Sequence, residues 1–468
     1  MSTRDVLSFS FQKGWETVDE KRKETVFGFC ENYKKFLDKG KTERKCVEEM
    51  IQKAKEHGYK NIEEYISGKE KIQIGEKIYV NQKGKALALF VIGKESIQSG
   101  MNIIAAHIDS PRLDLKPFPL YEDGELALLK THYYGGIKKY QWTTIPLAIH
   151  GVFINKDGEK IHMCIGEEET DPVFYITDLL PHLAKDQNEK KLGDAITGEG
   201  LNVVIGSIPY EDKDIKEKIK YNVLHLLYEK YNMKEEDFLT AEIEIVPSGK
   251  ARDVGIDRSL VGAYGQDDRV CAYTAFEAIL DVDHPIQTAV ALFADKEEIG
   301  SVGNTGMQSR FFENAIAELI SLQEIELVDL KLRRALSNSK VLSADVGAAF
   351  DPNFPDVLDK RNAAFLGKGV LVSKYTGARG KSGSNDANAE FLGEIRNIFN
   401  DRNVLWQIGE LGKVDQGGGG TIAYILAGYG AEVIDCGTPL LSMHAPMELA
   451  SKFDIYMTYK AYHAFLDR

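Results

Sequence analysis

The sequence is short of the features that mark secreted and membrane proteins. Its five cysteines are an odd number, and none of them forms a Cys-x-x-Cys pair or a recognisable zinc-finger or disulfide spacing. No apolar run approaches the roughly 18 residues that span a bilayer. The first ten residues, M-S-T-R-D-V-L-S-F-S, also lack the apolar core of a signal peptide. We therefore expect a cytoplasmic protein without a membrane partner.

Positive charge is also scarce. The 58 Lys and Arg residues face 72 Asp and Glu residues, which gives a formal net charge of -14. A nucleic-acid binder usually needs a broad basic surface, so we expect no nucleic-acid partner. The glycine-rich stretches 377–388 and 417–420 do not have the Gly-x-x-x-x-Gly-Lys-Ser/Thr or dinucleotide spacing, which argues against a nucleotide-binding protein.

The length and the pattern of the chain predict two domains. A chain of 468 residues exceeds the size at which one hydrophobic core keeps growing. Helical and strand patterns typical of an α/β fold occupy residues 1–117 and 248–468, while residues 118–247 are rich in alternating, β-type runs. We predict a discontinuous α/β domain, with a central mixed sheet flanked by helices, into which a β-rich domain is inserted.

Two adjacent carboxylates follow an apolar run near the middle of the chain. The run Thr288–Ala294 predicts a buried strand, and Glu297 and Glu298 come directly after it, before Gly300. Neighbouring strand residues point to opposite faces, so two carboxylates aimed at one site require the chain to turn. Such a pair is costly to desolvate without a cation, although an exposed loop would also explain it.

Similar groups follow other predicted strands. The apolar stretch Ile103–Ala106 leads into His107 and Asp109, which suit a metal ligand and the residue that orients it; a structural His with an incidental Asp is the alternative. Asp267 and Asp268 lie at the mouth of a predicted helix, where they could equally be N-terminal caps. The remaining groups are Asp345, inside the predicted strand 341–350, and His444 after a late strand.

These groups together indicate a two-metal site. The carboxyl ends of strands gather functional groups in α/β sheets. Two histidines with several carboxylates suit zinc, with cobalt or manganese as alternatives. A single catalytic zinc needs three protein ligands, so this surplus indicates two divalent ions sharing one carboxylate.

The ordered motifs resemble the M18 family of zinc aminopeptidases, the group of aspartyl aminopeptidase and vacuolar aminopeptidase I. The resemblance extends over essentially the whole chain. It depends on five motifs: A-H-I-D-S-P-R-L-D-L-K-P (106–117), G-Q-D-D-R (265–269), D-K-E-E-I-G-S (295–301), S-A-D-V (343–346) and S-M-H-A-P-M-E (442–448).

The resemblance implies a role for each site residue. Asp267 matches the bridging ligand; Glu298 and His444 would complete one metal, and His107 and Asp345 the other. Asp109 matches the residue that orients His107. Glu297 matches the general base, which implies removal of N-terminal amino acids from peptides with a free N-terminus by attack of a metal-activated water.

The resemblance also implies an assembly and leaves the substrate open. It implies that the insert is a dimerisation or lid domain and that dimers form a tetrahedral dodecamer. Aspartyl aminopeptidases carry His-Leu-Ala-Ile-His in the insert, but residues 182–186 read His-Leu-Ala-Lys-Asp here, so acidic specificity does not follow. Lys374 is a candidate anchor for an acidic side chain. A carboxypeptidase or deacylase of related fold and a catalytically silent shell protein are the alternative functions.

Overall fold

The computed structural model describes Leu7, residues 10–323 and residues 326–468. These residues form two compact units: one comprises the described residues up to Asp109 with Ala251–Met443 and Glu448–Arg468, and the other comprises Ser110–Lys250 with His444–Met447. Most of the N-terminal stretch in which no signal peptide was expected lies outside the described residues. Within the described ranges, we find no helix that combines the length and the apolar character needed to cross a membrane.

The strands are numbered in chain order. They are β1 Lys60–Asn61, β2 Lys77–Gln82, β3 Ala86–Val91, β4 Met101–His107, β5 Arg112–Asp123, β6 Leu126–Tyr134, β7 Leu147–Ile154, β8 Lys160–Ile165, β9 Val203–Gly206, β10 Glu242–Pro247, β11 Arg252–Val254, β12 Leu260–Ala263, β13 Thr288–Ala294, β14 Lys340–Ser343, β15 Gly347–Ala348, β16 Val370–Ser373, β17 Trp406–Ile408, β18 Glu432–Gly437, β19 Pro439–Leu441 and β20 Glu448–Ser451.

The helices vary in length from one turn to more than five. They are Glu20–Lys39, Glu43–Glu56, Ile62–Gly68, Lys185–Asn188, Leu192–Ala195, Lys218–Tyr231, Gln266–Leu280, Phe311–Gln323, Val328–Ser337, Ala389–Asp401, Ala423–Ala427 and Lys452–Leu466. The longest helix, Glu20–Lys39, has Asp19 as its N-cap. The Asp19 side chain accepts a hydrogen bond from the Arg22 backbone N–H.

A nine-stranded mixed sheet forms the centre of the first unit. Its strand order is β1-β2-β3-β13-β4-β14-β18-β16-β17. The strands β13, β4, β14 and β18 are mutually parallel, whereas β3 and β16 run antiparallel to their neighbours β13 and β18. The expected mixed sheet is therefore present.

Both faces of this sheet are covered by helices. Successive residues of β4 alternate between two hydrophobic clusters: Ile104 and Ala106 belong to one, and Ile103 and Ala105 to the other. Residues of helices Gln266–Leu280 and Lys452–Leu466 contribute to the first cluster, and residues of helix Phe311–Gln323 to the second. Central strands buried on both faces explain why β4 and β13 are continuous apolar runs rather than alternating ones.

Two further sheets complete the structure. The first unit also contains a five-stranded sheet, with the order β11-β12-β20-β19-β15. The second unit contains a six-stranded sheet, β8-β7-β10-β5-β6-β9, in which every pair is antiparallel. The inserted stretch is thus β-rich, as its alternating pattern predicted.

The four consecutive glycines pack against another loop of the first unit. A Cβ added to Gly418 would lie 1.9 Å from the carbonyl oxygen of Gly377, and one added to Gly420 would lie 3.1 Å from that of Gly383. The Gly377 N–H also donates a hydrogen bond to the Gly419 carbonyl at 2.7 Å. The glycine run is therefore approached closely by the backbone of the polar loop that begins at Gly377, which leaves no room for a Cβ at Gly418.

Candidate metal centre

Three neighbouring parallel strands end at one edge of the large sheet. His107, the last residue of β4, is paired with Ala294, the last residue of β13, and Ala105 is paired with Ser343, the last residue of β14. The acidic residues that follow β13 and β14 therefore lie at the same edge of the sheet as His107. This is the edge where open α/β sheets place their functional groups.

His107 lies in the middle of the acidic side chains. It is 2% exposed, and its Nδ1 lies 3.0 Å from the backbone oxygen of Asp109 and 3.3 Å from Oδ1 of the same residue. Its Nε2 lies 3.4 Å from Oδ1 of Asp267 and 3.9 Å from Oδ1 of Asp345. The Nδ1 contacts place a proton on Nδ1, so Nε2 is the atom that faces the acids. It carries a proton when the imidazole is charged and offers a lone pair when the imidazole is neutral.

Asp109 holds two parts of the site at once. Besides its contact with His107, the fully buried Asp109 carboxylate accepts hydrogen bonds from the backbone N–H groups of Glu297, at 3.1 Å, and Glu298, at 3.2 Å. Asp109 thus contacts the Nδ1 side of His107, which is where a residue that orients the ring would lie. It adds an anchor for the glutamate turn that no local pattern indicated.

The glutamate pair lies on a short turn, as the adjacent carboxylates required. The turn begins at Lys296, whose φ of 65° is left-handed, and continues as the 3-10 helix Glu297–Ile299. The Lys296 ammonium folds back onto Oδ2 of Asp295 at 3.0 Å and onto the Thr305 hydroxyl oxygen at 2.7 Å. These contacts hold the turn in place, so both glutamates leave the end of β13 together.

Asp267 and Asp268 lie where the chain passes from β12 into the next helix. Both have non-helical backbone angles within Gln266–Leu280, and the N-cap of this helix is Gly265, without a side-chain cap hydrogen bond. Asp267 is 3% exposed and Asp268 is fully buried. Neither carboxylate oxygen of Asp268 has a hydrogen-bond partner among the described residues. A buried carboxylate in this state is costly unless a cation compensates it.

Asp345 occupies a different local structure from the predicted one. The strand predicted over 341–350 is interrupted: β14 ends at Ser343, β15 begins at Gly347, and Asp345 lies in the gap. The prediction of Asp345 inside a strand was wrong, because the apolar residues on both sides belong to two different sheets. Asp345 therefore follows the end of β14, where it comes within reach of His107.

The side chains form two groups with the geometry of metal ligands. His107, Asp267 and Glu298 offer ligand atoms that all lie within 4.8 Å of one another, and so do His107, Asp268 and Asp345. Nitrogen and carboxylate oxygen atoms in sets of three suit zinc. The family resemblance gives Asp268, beside Asp267, no ligand role.

The electrostatics of the cluster also fit a cation. Burial opposes charge on His107, but hydrogen bonds to Asp109 and Asp267 outweigh it and raise the pKa of His107 well above its usual range. Burial raises the pKa of Asp268, and burial together with the negative charge of Asp268 raises the pKa of Asp345. These side chains therefore tend to bind protons. A divalent ion bound among them would supply the positive charge that the protons otherwise supply.

Two of the predicted site residues, His444 and Lys374, are not among the ligand groups of this cluster. His444 belongs to the second unit, where its Nδ1 lies 2.7 Å from the carbonyl oxygen of Gly136. Lys374 follows β16, and its Nζ lies 3.4 Å from Oδ1 of Asp386, which also pairs with Lys381. Neither residue belongs to the two ligand groups.

Comparisons with known proteins identify the family. A family model described as aminopeptidase I zinc metalloprotease (M18) matches residues 36–466. A probable M18 family aminopeptidase 1 from Clostridium acetobutylicum is 56% identical over 457 residues, which cover 98% of each chain.

Solved structures show the same fold. Aminopeptidase I from Clostridium acetobutylicum is similar with a TM-score of 0.93 and 53% identity, over 99% of this chain and 100% of that one. An M18 family aminopeptidase from Thermotoga maritima is similar with a TM-score of 0.94 and 46% identity, over 98% and 100%. The chain therefore belongs to the M18 family of aminopeptidase I zinc metalloproteases, and it is a metallo-aminopeptidase.

Proposed function

We propose that this M18 enzyme binds two divalent metal ions, zinc first among them, and removes N-terminal amino acids from peptides with Glu297 as the general base. The observation that supports two ions is the pair of ligand groups that share His107. The two groups together offer five different ligand residues, more than the three that one catalytic zinc requires.

Asp267 is the better candidate for the ligand shared by both ions. A neutral imidazole offers a single lone pair, and the contacts of Nδ1 leave only Nε2 of His107 for one ion. A carboxylate has two oxygens, so it can bind one ion with each. Asp267 lies beside His107 through its Oδ1 at 3.4 Å, which agrees with the bridging role that the family resemblance implies.

The remaining ligands follow from the motifs and the groups together. Glu298 would help bind one ion, and His107 with Asp345 the other. Asp268 belongs to the second group and adds negative charge there. When bound, the metal ions supply Lewis acidity that activates water and polarises a carbonyl. Glu297 leaves the same turn as Glu298, so its carboxylate can take a proton beside that site and return it to the leaving amine.

Hydrolysis of amino-acid p-nitroanilides tests the reaction. Protein stripped by a chelator and restored with zinc, cobalt or manganese is assayed on Asp, Glu, Leu, Lys and Met substrates, each with an N-acetylated control. We expect metal-dependent release from unblocked substrates alone. Equal turnover of acetylated substrates would contradict the aminopeptidase reaction on peptides with free N-termini.

Metal analysis tests the number of ions. Restored and desalted protein should contain two metal ions per chain, and activity should rise through two binding steps. A single ion per chain at full activity would contradict the dinuclear site. The glutamate variants described in the Discussion test the base separately.

We propose Lys374 as the anchor for an acidic substrate side chain. It lies just after β16 and is only partly engaged, since its Nζ is 3.4 Å from Asp386 while that carboxylate is 2.9 Å from Lys381. Replacement of Lys374 by Ala should raise KM for Asp and Glu substrates without changing Leu turnover. Lys381→Ala is the matched control, because it removes the other ammonium from the same carboxylate.

We also propose that the protein works as a homo-oligomer in the cytoplasm, with the insert making the dimer contact and dimers forming a dodecamer. The insert exposes large apolar side chains, at Leu179, Leu180, Leu183 and Leu192. Exposed apolar clusters are typical of interaction surfaces. Light scattering of the purified protein tests this, and a monomer at micromolar concentration would contradict it.

A further inference from the structure

A buried carboxylate holds the backbone of the proposed bridging residue. Oε2 of Glu448 accepts a hydrogen bond from the Asp267 N–H at 3.1 Å, and Glu448 is 1% exposed. We infer that Glu448 is a positioning residue for the metal centre, which fixes the backbone of Asp267 without needing to bind metal itself. This inference rests on the proposed role of Asp267 as a metal ligand.

The contact belongs to a larger clamp. The Gln266 side-chain amide donates hydrogen bonds to the Glu448 carbonyl at 2.7 Å and to the Val261 carbonyl at 3.1 Å. The buried Tyr33 hydroxyl donates to the Gln266 side-chain oxygen at 3.3 Å. Glu448 is also paired with Ala263 across β20 and β12. The turn that carries Asp267 is therefore tied to β20 through both side chain and backbone.

This turn needs such a clamp. The φ and ψ angles of Asp267, -81° and 107°, are not helical, so the regular hydrogen bonds of the following helix do not hold its backbone. A buried N–H without an acceptor is unfavourable, which makes an acceptor at this position valuable in itself. A metal ligand must also be held within about 0.5 Å of its working position. Glu448 meets both needs.

Three variants test the inference. Glu448→Ala removes the acceptor, whereas Glu448→Gln keeps a side-chain oxygen that can accept from Asp267. Ser339→Ala is the matched control, because the Ser339 hydroxyl oxygen accepts from the Met101 N–H at 3.0 Å at the opposite end of β4. Gln266→Met is a second way to loosen the turn and decides the matter if Glu448→Ala does not fold.

The readout is metal affinity, measured by competition with a chromogenic chelator on stripped protein. We expect Glu448→Ala to bind metal roughly 10–100-fold more weakly and Gln266→Met roughly 10-fold more weakly, the size of effect that residues supporting metal ligands have. Glu448→Gln and Ser339→Ala should stay within about 3-fold of the parent protein. With saturating metal, the kcat of Glu448→Ala should lie closer to the parent value than its metal affinity does.

The outcomes separate this inference from the proposed function. Unchanged affinity in Glu448→Ala or Gln266→Met overturns the positioning role. A loss in Glu448→Gln as large as in Glu448→Ala also overturns it, because the negative charge rather than the accepted hydrogen bond would then matter. If the parent protein itself binds no metal, the proposed function fails, whatever the variants do.

Discussion

The Asp109 carboxylate and the Glu297 backbone are joined directly, by a hydrogen bond of 3.1 Å between Oδ1 of Asp109 and the Glu297 nitrogen. The same carboxylate approaches Nδ1 of His107 at 3.3 Å. One side chain on the loop after β4 therefore sets both the imidazole and the turn that carries the glutamates. Its replacement should disturb metal binding and proton transfer together.

Asp109→Asn should lower metal affinity and kcat by roughly 10–100-fold each. An asparagine keeps one oxygen that accepts a hydrogen bond. Its NH2 group would face a backbone N–H of the glutamate turn, and two donors form no hydrogen bond with each other. Competition with a chelator and steady-state kinetics on saturating metal measure the two effects. Asp329→Asn, at an exposed ion pair with Arg333, is the control. Parent-like affinity and kcat in Asp109→Asn would contradict the shared orienting role.

Glu297→Gln and Glu298→Gln should fail in different ways. Loss of the general base should reduce kcat by about 10²–10⁴-fold with metal content intact. Loss of a ligand should reduce metal content first, and excess metal should restore part of the activity of Glu298→Gln. Metal analysis beside kinetics at several metal concentrations distinguishes them. Identical behaviour of the two variants would show that their assigned roles are wrong.

Removal of metal should destabilise the protein, and more so at higher pH. The pKa values of His107, Asp268 and Asp345 are all raised in the metal-free fold. Such groups stabilise the fold at low pH and lose that contribution as pH rises through their folded pKa values. A ligand at about 1,000 times its Kd adds roughly 4 kcal/mol to the free energy of unfolding. Thermal melts with chelator at pH 5.5 and 8 measure this, and an equal drop in Tm at both would contradict it.

Asp435→Asn should stabilise the protein at neutral pH. Burial raises the pKa of Asp435 from 3.8 to about 6, against hydrogen bonds from Thr421 and Ser343. Stability from this group is complete below pH 3.8 and falls as pH rises through about 6, by roughly 2–3 kcal/mol in total. The asparagine can still accept from the Thr421 hydroxyl. Denaturant unfolding at pH 5 and 7.5 should show a gain that grows with pH, and a constant difference would contradict the titration.

The bounds of secondary-structure elements were predicted most accurately where one hydrophobic pattern determines the element. The strand Thr288–Ala294 has the predicted bounds, because it is an uninterrupted apolar pattern with clear ends. Asp345 was misplaced because an apolar run does not show where one sheet ends and another begins. The contact between Asp267 and Glu448 joins segments far apart in the chain, so no spacing could reveal it.

Ligand chemistry was easier to predict than ligand geometry. The histidine and carboxylates at the ends of β4, β13 and β14 each had an ordinary alternative, and only their combination predicted a metal centre. The membership of Asp268 depended on how the backbone bends after Gly265, whose φ is 74°, and this bend follows from tertiary contacts. The five ordered motifs were therefore enough to predict the family, but they did not predict every residue that lies beside His107.

The central position of β4 has a consequence for the newly synthesised protein. Its two neighbours, β13 and β14, are both made long after it, and Asp345 follows the later of them. At bacterial or eukaryotic rates of synthesis, the interval between His107 and Asp345 is on the order of tens of seconds. During that interval the nascent chain cannot bring His107 and Asp345 together, so the group of His107, Asp268 and Asp345 forms only after most of the chain has been synthesised.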